Sequence, residues 1–291
     1  MRRTTGIGLV LLAGVLWSFM GLAIRNIDTA STWAILFWRS VGMIPVLLGV
    51  ITWRSKGHPF SRFRGIGLAG IIGGFSLVLA FAGAIYAIQS TTVANAVFLF
   101  SASPFLAALL GWLILGETVH RATWAAIAVA GIGMFIMVRE GLAAGALAGN
   151  LAALLSALGF AVFTVSLRFG KLSDMMPAVV LGSGFSVIVA AIILTLQDQP
   201  LLVSARDITL AMALGGGIVA TGMALYTLGS RVIPAAELTL LSLIEVMLAP
   251  IWVWLLLDET ATFSTFVGGA VMLAAVVFNA VIGASRQARS T

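Results

Sequence analysis

Cysteine is absent from the 291 residues, and only 9% of them are charged. The chain therefore has no disulfides, no thiolate metal site and no cysteine nucleophile. Its two histidines, His58 and His120, fall in polar connections between apolar runs, so no paired-histidine metal helix can be built. G-x-S-x-G elbows, Walker A lysine loops and closely spaced acid pairs suited to metal-assisted hydrolysis are missing as well. These absences argue against an enzyme, against a metal or other cofactor, and against direct use of ATP. The net charge of +6 comes from scattered basic residues that are never interleaved with aromatics, which argues against a nucleic-acid surface.

What remains is apolar: 61% of residues are hydrophobic and the mean hydropathy is +1.14. Ten apolar runs cover residues 6–24, 32–53, 66–88, 91–115, 122–139, 146–167, 175–196, 208–230, 234–257 and 262–283. Each is close to the ~20 residues that an α-helix needs to cross ~30 Å of hydrocarbon, where a backbone must satisfy its own hydrogen bonds. Arg2 and Arg3 before the first run imitate a secretory leader, but no small-residue cleavage site follows, so that run is read as a retained span. With the N-terminus in the cytoplasm, Arg2, Arg3, Arg54, Lys56, Arg62, Arg64, Arg121, Arg168, Lys171, Arg231, Arg286 and Arg289 all fall inside, and Arg25, Arg139 and Arg206 fall outside. The positive-inside rule then predicts a multi-pass inner-membrane protein with both termini cytoplasmic.

An offset of 142 residues lays Trp112, Leu113, Leu115, Glu117 and Thr118 on Trp254, Leu255, Leu257, Glu259 and Thr260, and Gly73-Gly74 on Gly215-Gly216. An offset of 143 sets Arg25 on Arg168. Leucine matches mean little in such a composition, but a shared Trp, Glu-Thr and Gly-Gly in one register indicate a duplicated unit. Each unit holds an odd number of spans, so the second copy must cross the membrane in the opposite sense. The expected fold class is an all-α integral membrane protein of ten transmembrane helices in two inverted five-helix repeats, residues 1–140 and 141–291. Such inverted repeats suit alternating access around a midplane site.

The segments L-L-A-G-V-L-W-S in the first span, F-W-R-S in the second, S-P-F-L-A-A-L-L-G-W-L-I-L-G-E in the fourth and L-I-E-V-M-L-A-P in the ninth resemble the drug/metabolite transporter superfamily, EamA type. Over nearly the whole length, the chain is most similar to the YddG-like amino-acid exporters of that superfamily. The resemblance implies a carrier. One departure stands out: Val246 follows Glu245 where the family usually has Pro, and Pro250 comes later, which moves the expected helix break one turn along.

Several residues lie near the expected midplane. Trp17, Ser18 and, by the repeat, Phe160 with Phe163 are candidates for an aromatic cavity floor and wall, offering π-faces to an apolar side chain or an ammonium. Helix packing and lipid contact are the competing explanations. Phe98, Ser101 and Ser103 precede Pro104, whose ring should kink the fourth span near Phe100 and turn it toward a cavity. Serines there can equally back-bond to their own helix. Arg39 and Glu245 are the ionisable residues placed deepest, and leaving either unpaired costs roughly 2.5–3.5 kcal/mol. They are expected to form an intramembrane ion pair, with substrate sensing by Glu245 as the functional alternative. Tyr86 and Tyr226 are candidate rim residues in places that membrane-interface anchoring also explains. Glu117 and Glu259, at helix ends, are expected to accept bonds from the amides that open the next helix. The glycine clusters read as surfaces on which the halves pack closely.

One charge of each sign among aromatics and hydroxyls suits a small zwitterion. The substrate expected from this cavity and from the resemblance is a neutral or aromatic amino acid or a related metabolite, exported by a monomer; multidrug export of cations is the alternative.

Overall fold

The structure, a computed structural model, describes residues 2–143, 146–170, 174–229, 232–233 and 235–290. Lys171 and Arg231, counted above among the cytoplasmic basic residues, and Pro234, the first residue of the expected ninth span, lie outside the described residues. The spans are α1–α2 (Arg3–Ser18, Met20–Arg25), α3 (Thr32–Arg54), α4 (Gly67–Ser90), α5–α6 (Val93–Phe100, Ser103–Leu115), α7 (Arg121–Ala143), α8 (Leu147–Phe169), α9 (Met176–Leu196), α10–α11 (Ala205–Ala213, Thr221–Gly229, joined by a π-helical turn over Leu214–Ala220), α12 (Ala235–Leu257) and α13 (Phe263–Ser290). Among the described residues, nine spans are long and apolar enough to cross a membrane; in α12 the apolar stretch counted there is Leu243–Leu257.

The extensive interfaces join one half to the other, and they come in matched pairs. The third span packs on the sixth as the eighth packs on the first, through α4 with α8 and α11 with α1. The third packs on the seventh as the eighth packs on the second, and the fourth on the sixth as the ninth on the first. The second with seventh and the fifth with tenth are their own counterparts. Exchanging the halves therefore leaves the pattern unchanged, which is a pseudo-twofold axis.

The sense of the repeat is legible in two glycines. A Cβ on Gly6, near the start of α1, would meet Val232 and Gly229 just before α12; one on Gly149, near the start of α8, would meet Ser90 and Thr91 just before α5. Arg25, at the far end of α2, donates to the Thr91 carbonyl at 2.6 Å. The first span thus ends where the sixth begins, and the two run in opposite directions.

Three spans are interrupted. The first breaks at Phe19, whose amide turns back to the Leu16 and Trp17 carbonyls. The fourth breaks at Ser101 and Ala102, and Pro104, with no N–H to donate, lies in the first turn of α6, where none is needed. The eighth carries the π-helical turn around Gly215–Gly217. A side chain on Gly215 would overlap the Arg39 carbonyl of α3, so these glycines let α3 and the turn approach backbone to backbone. The ninth span departs from expectation. Pro250 lies inside a continuous helix, so no break is present there.

Candidate functional site

A central cavity lies where α2, α4, α5, α8 and α12 converge. Met20 stands at the break of the first span; Ala84, Ala87 and Ile88 come from α4; Ala96, Val97 and Phe100 from α5; Ala153 and Ser156 from α8; and Glu245 from α12. All five spans that carry it are drawn from both halves. Its free volume is ≈20 Å³, room for about one water molecule.

Small residues build it. Ser156 donates to the Ala80 carbonyl at 2.6 Å, and a Cβ on Gly83 would sit 2.7 Å from the Ala152 carbonyl, so α4 and α8 meet without intervening side chains on one side of the cavity. Phe100 closes the opposite part and packs on Phe160, with ring centroids 5.9 Å apart; Phe160 in turn meets Phe163 at 5.8 Å. Glu245 makes no ion pair with any described residue. A larger groove of ≈360 Å³ lies between α2 and α10 and touches Phe19, Asn26 and Arg206. It has no acid, and its one cation is paired with Asp28, so the smaller cavity, which holds an acid with no ion-pair partner among the described residues, is the better candidate site.

The expected site residues separate into three groups. Glu245 lines the cavity, and Phe160 with Phe163 adjoins it through Phe100. Trp17 does not line it: its indole N–H donates to the Val219 carbonyl at 3.3 Å, its ring stands 5.5 Å from that of Tyr226, and it covers Gly222. Ser18 is fully buried between its own Val15 carbonyl and the indole N–H of Trp252, whose ring stacks on Phe19 at 4.9 Å. This clamp explains the break in the first span. Phe98 packs on Gly269 of α13, Ser101 donates to the Phe98 carbonyl at 2.6 Å, Ser103 is buried, and Tyr86 faces outward at 41% exposure.

The expected Arg39–Glu245 ion pair is not made. The Arg39 guanidinium carbon lies 4.1 Å above the Phe81 ring centre instead. Helical position fixed the depth of both residues but left open the direction each faces, and α3 turns Arg39 toward α4. Sequence reasoning also missed the cavity alanines and Met20, because alanine at a cavity wall looks like alanine anywhere else.

Ion pairs do join the halves, at the ends of the bundle. Arg25 Nε binds Glu259 Oε2 at 2.8 Å, while Glu259 Oε1 accepts from the Val93 amide at 2.6 Å. Arg168 binds Glu117. These are the residues that the repeat superposes, paired crosswise: each arginine ends the first span of its half and meets the acid that ends the fourth span of the other. Both acids follow a left-handed residue, Gly116 (φ 65°) and Asp258 (φ 52°), and their amides return to Gly111 and Val253 in matching caps. The expectation that each acid caps the helix following it is corrected here, since Glu259 caps α5 of the other half. At the Arg25 end, Asn95 extends the network by donating to Thr91 Oγ1 at 3.1 Å and to Asn150 of α8. Asn150 and Arg168 are separated by 18 residues of one helix, which sets the two ion pairs roughly 27 Å apart, at opposite ends. Arg206–Asp28 and Arg54–Asp174 also cross between the halves.

Ten helical spans, a duplication related by a pseudo-twofold axis and a small central cavity between the halves define the architecture of a multi-pass membrane protein. The model of the EamA-like transporter family matches residues 4–139 and again 147–281, and the chain belongs to that family of transporters. An uncharacterized transporter from Archaeoglobus fulgidus is 27% identical over 274 residues, covering 92% of this chain and 93% of its own. A solved crystal structure superposes with a TM-score of 0.61 at 17% identity, over 97% of this chain and 99% of the other, a likeness of fold.

Proposed function

We propose that the protein is an inner-membrane exporter of neutral and aromatic amino acids or related small metabolites, working by alternating access with both termini in the cytoplasm. The observation that carries the mechanism is the pair of symmetry-related ion pairs at opposite ends. A carrier must open one end while the other stays closed, and Arg25–Glu259 and Arg168–Glu117 each tie the same two halves together at a single end. With both formed, the central cavity has room for only about one water molecule. Breaking the cytoplasmic pair, Arg168–Glu117, admits substrate; re-forming it and breaking Arg25–Glu259 releases substrate outside.

The lining of the cavity supports this substrate class. Glu245 offers an unpaired carboxylate to an ammonium, and alanines, Val97 and the Phe100–Phe160 pair offer apolar and aromatic surface to a side chain. The resemblance to YddG-like exporters points the same way. The single acid in an apolar wall also favours a second reading, export of cationic amphiphiles.

Counterflow decides between them. Proteoliposomes preloaded with unlabelled phenylalanine should take up labelled phenylalanine, methionine or leucine saturably and exclude a quaternary ammonium dye. Dye transport without amino-acid flux would establish the second reading, and non-saturable flux without trans-stimulation would exclude a carrier.

A further inference from the structure

Arg39 is 1% exposed, and its Nε and Nη2 have no hydrogen-bond partner among the described residues. These two atoms form one straight edge of the guanidinium, the edge that grips a carboxylate through two parallel hydrogen bonds. The hydroxyl of Ser40 next to it is also buried and unpartnered. A cation–π contact with Phe81 stabilises the charge over one face of the plane but satisfies none of the edge donors. Burying a bare guanidinium edge is costly, and Arg39 takes part in none of the four ion pairs between described residues.

Its position ties it to the cavity. Phe81, Ala84 and Ile88 lie on one face of α4, and the latter two line the cavity, so the guanidinium sits about one helical turn from the cavity wall. On its other side, the Arg39 backbone is pressed against the π-helical turn of the eighth span, a rare geometry that recurs where helices carry function. Glu245 reaches the same cavity from α12. The guanidinium does not itself line the cavity; it stands on Phe81, one turn along α4 from two residues that do, and it does not neutralise Glu245.

We propose that the Nε–Nη2 edge of Arg39 is the receptor for the carboxylate of the transported substrate. This deepens the exporter reading and rests on it: Glu245 takes the ammonium, Arg39 the carboxylate, and the apolar wall the side chain. Because the two do not pair with each other, both are available, and a zwitterion completes the charge balance.

The test uses the purified full-length chain in detergent, with thermal stability as the readout, and compares 3-phenylpropionate with the isosteric 3-phenylpropanamide. A ligand that binds the folded form raises the melting temperature in proportion to its occupancy. The acid should stabilise at concentrations on the order of tenfold to a hundredfold below the amide, the range expected for charge-assisted bonds. Arg39→Gln should erase that preference, and Arg39→Lys, which keeps the charge but not the paired donors, should weaken it. No stabilisation by the acid, equal midpoints in the wild type, or a preference that survives in Arg39→Gln would each overturn the proposal. Should Arg39→Gln fail to fold, the wild-type comparison and Arg39→Lys decide. Acid preference lost in Arg39→Gln, but without phenylalanine counterflow, would uphold the receptor and reject the amino-acid reading; counterflow with unaltered preference in Arg39→Gln would do the opposite.

Discussion

Glu259→Gln should open the Arg25 end of the carrier. In the structure Glu259 binds Arg25 Nε at 2.8 Å and accepts the Val93 amide at 2.6 Å, and the two side chains are 18% and 25% exposed. Exposed pairs contribute about 0–1 kcal/mol, and breaking a buried pair costs about 3–5 kcal/mol. This one is partly shielded and shares its acid with a backbone donor, so a loss of about 2 kcal/mol is expected, or about 30-fold in the balance between closed and open forms. The natural absence of cysteine makes the measurement direct, because Ala96→Cys introduces the sole thiol, on the cavity wall and 4% exposed. A membrane-impermeant maleimide should modify it about 30-fold faster in right-side-out vesicles when Glu259→Gln is added. Glu117→Gln should act from the other side, in inside-out vesicles, and more weakly. Its pair with Arg168 is 39% and 44% exposed and has no further partner among the described residues, so about 0.5–1 kcal/mol, or about two- to fivefold, is expected. Unchanged rates, or acceleration from the same side by both variants, would refute the two-ended reasoning.

Gly215→Ala should destabilise the folded protein by roughly 1–3 kcal/mol, because the new methyl meets the Arg39 carbonyl and lies 2.8 Å from the carbonyl carbon; Gly217→Ala, with nothing within 4 Å, is the matched control, and thermal unfolding in detergent separates them. Trp17→Ala should cost roughly 3–5 kcal/mol through lost packing on Gly222 and Tyr226, whereas Trp17→Phe should leave the counterflow KM unchanged; a large KM change in Trp17→Phe would return this residue to the substrate path. Glu245→Gln should leave thermal stability unchanged or higher, since it removes an unpaired charge, and should weaken ammonium-bearing substrates by about tenfold or more in counterflow.

Hydropathy and the repeat made most of the fold legible from the sequence. Helix ends followed the charged connections, and the fourth span breaks beside Pro104 because proline acts locally. The break at Phe19 has no such local cause, since it follows from Trp252, 233 residues further along, stacking on Phe19 and holding Ser18. The continuous helix through Pro250 shows the converse, tertiary packing overriding a local breaker. Arg39 and Glu245 were placed at compatible depths, but counting along a helix constrains direction only once its neighbours are known. The crosswise ion pairs were closer to hand. Two arginines and two acids matched under one inversion, and an inversion that superposes a base on a base and an acid on an acid can bring each base to the other half's acid.

That crosswise arrangement has a consequence for how the two repeats relate. Each half contributes its fourth span to the packing of the other half's first, and the extensive interfaces cross between halves. Neither half therefore has a core of its own to bury, and the family model's two matches mark a repeated sequence rather than two independent bodies. On the alternating-access reading proposed above, rocking would then be a sliding of helices past one another at backbone contacts rather than the hinging of two finished domains, and such contacts occur where Gly74 meets the Ala178 carbonyl, Gly83 the Ala152 carbonyl and Gly216 the Gly42 carbonyl. Small residues there allow one helix to move on another without unlocking interdigitated side chains. On the same reading, the ion pairs at the two ends, Arg25 with Glu259 and Arg168 with Glu117, would supply what those smooth interfaces lack, a discrete closed position at each end.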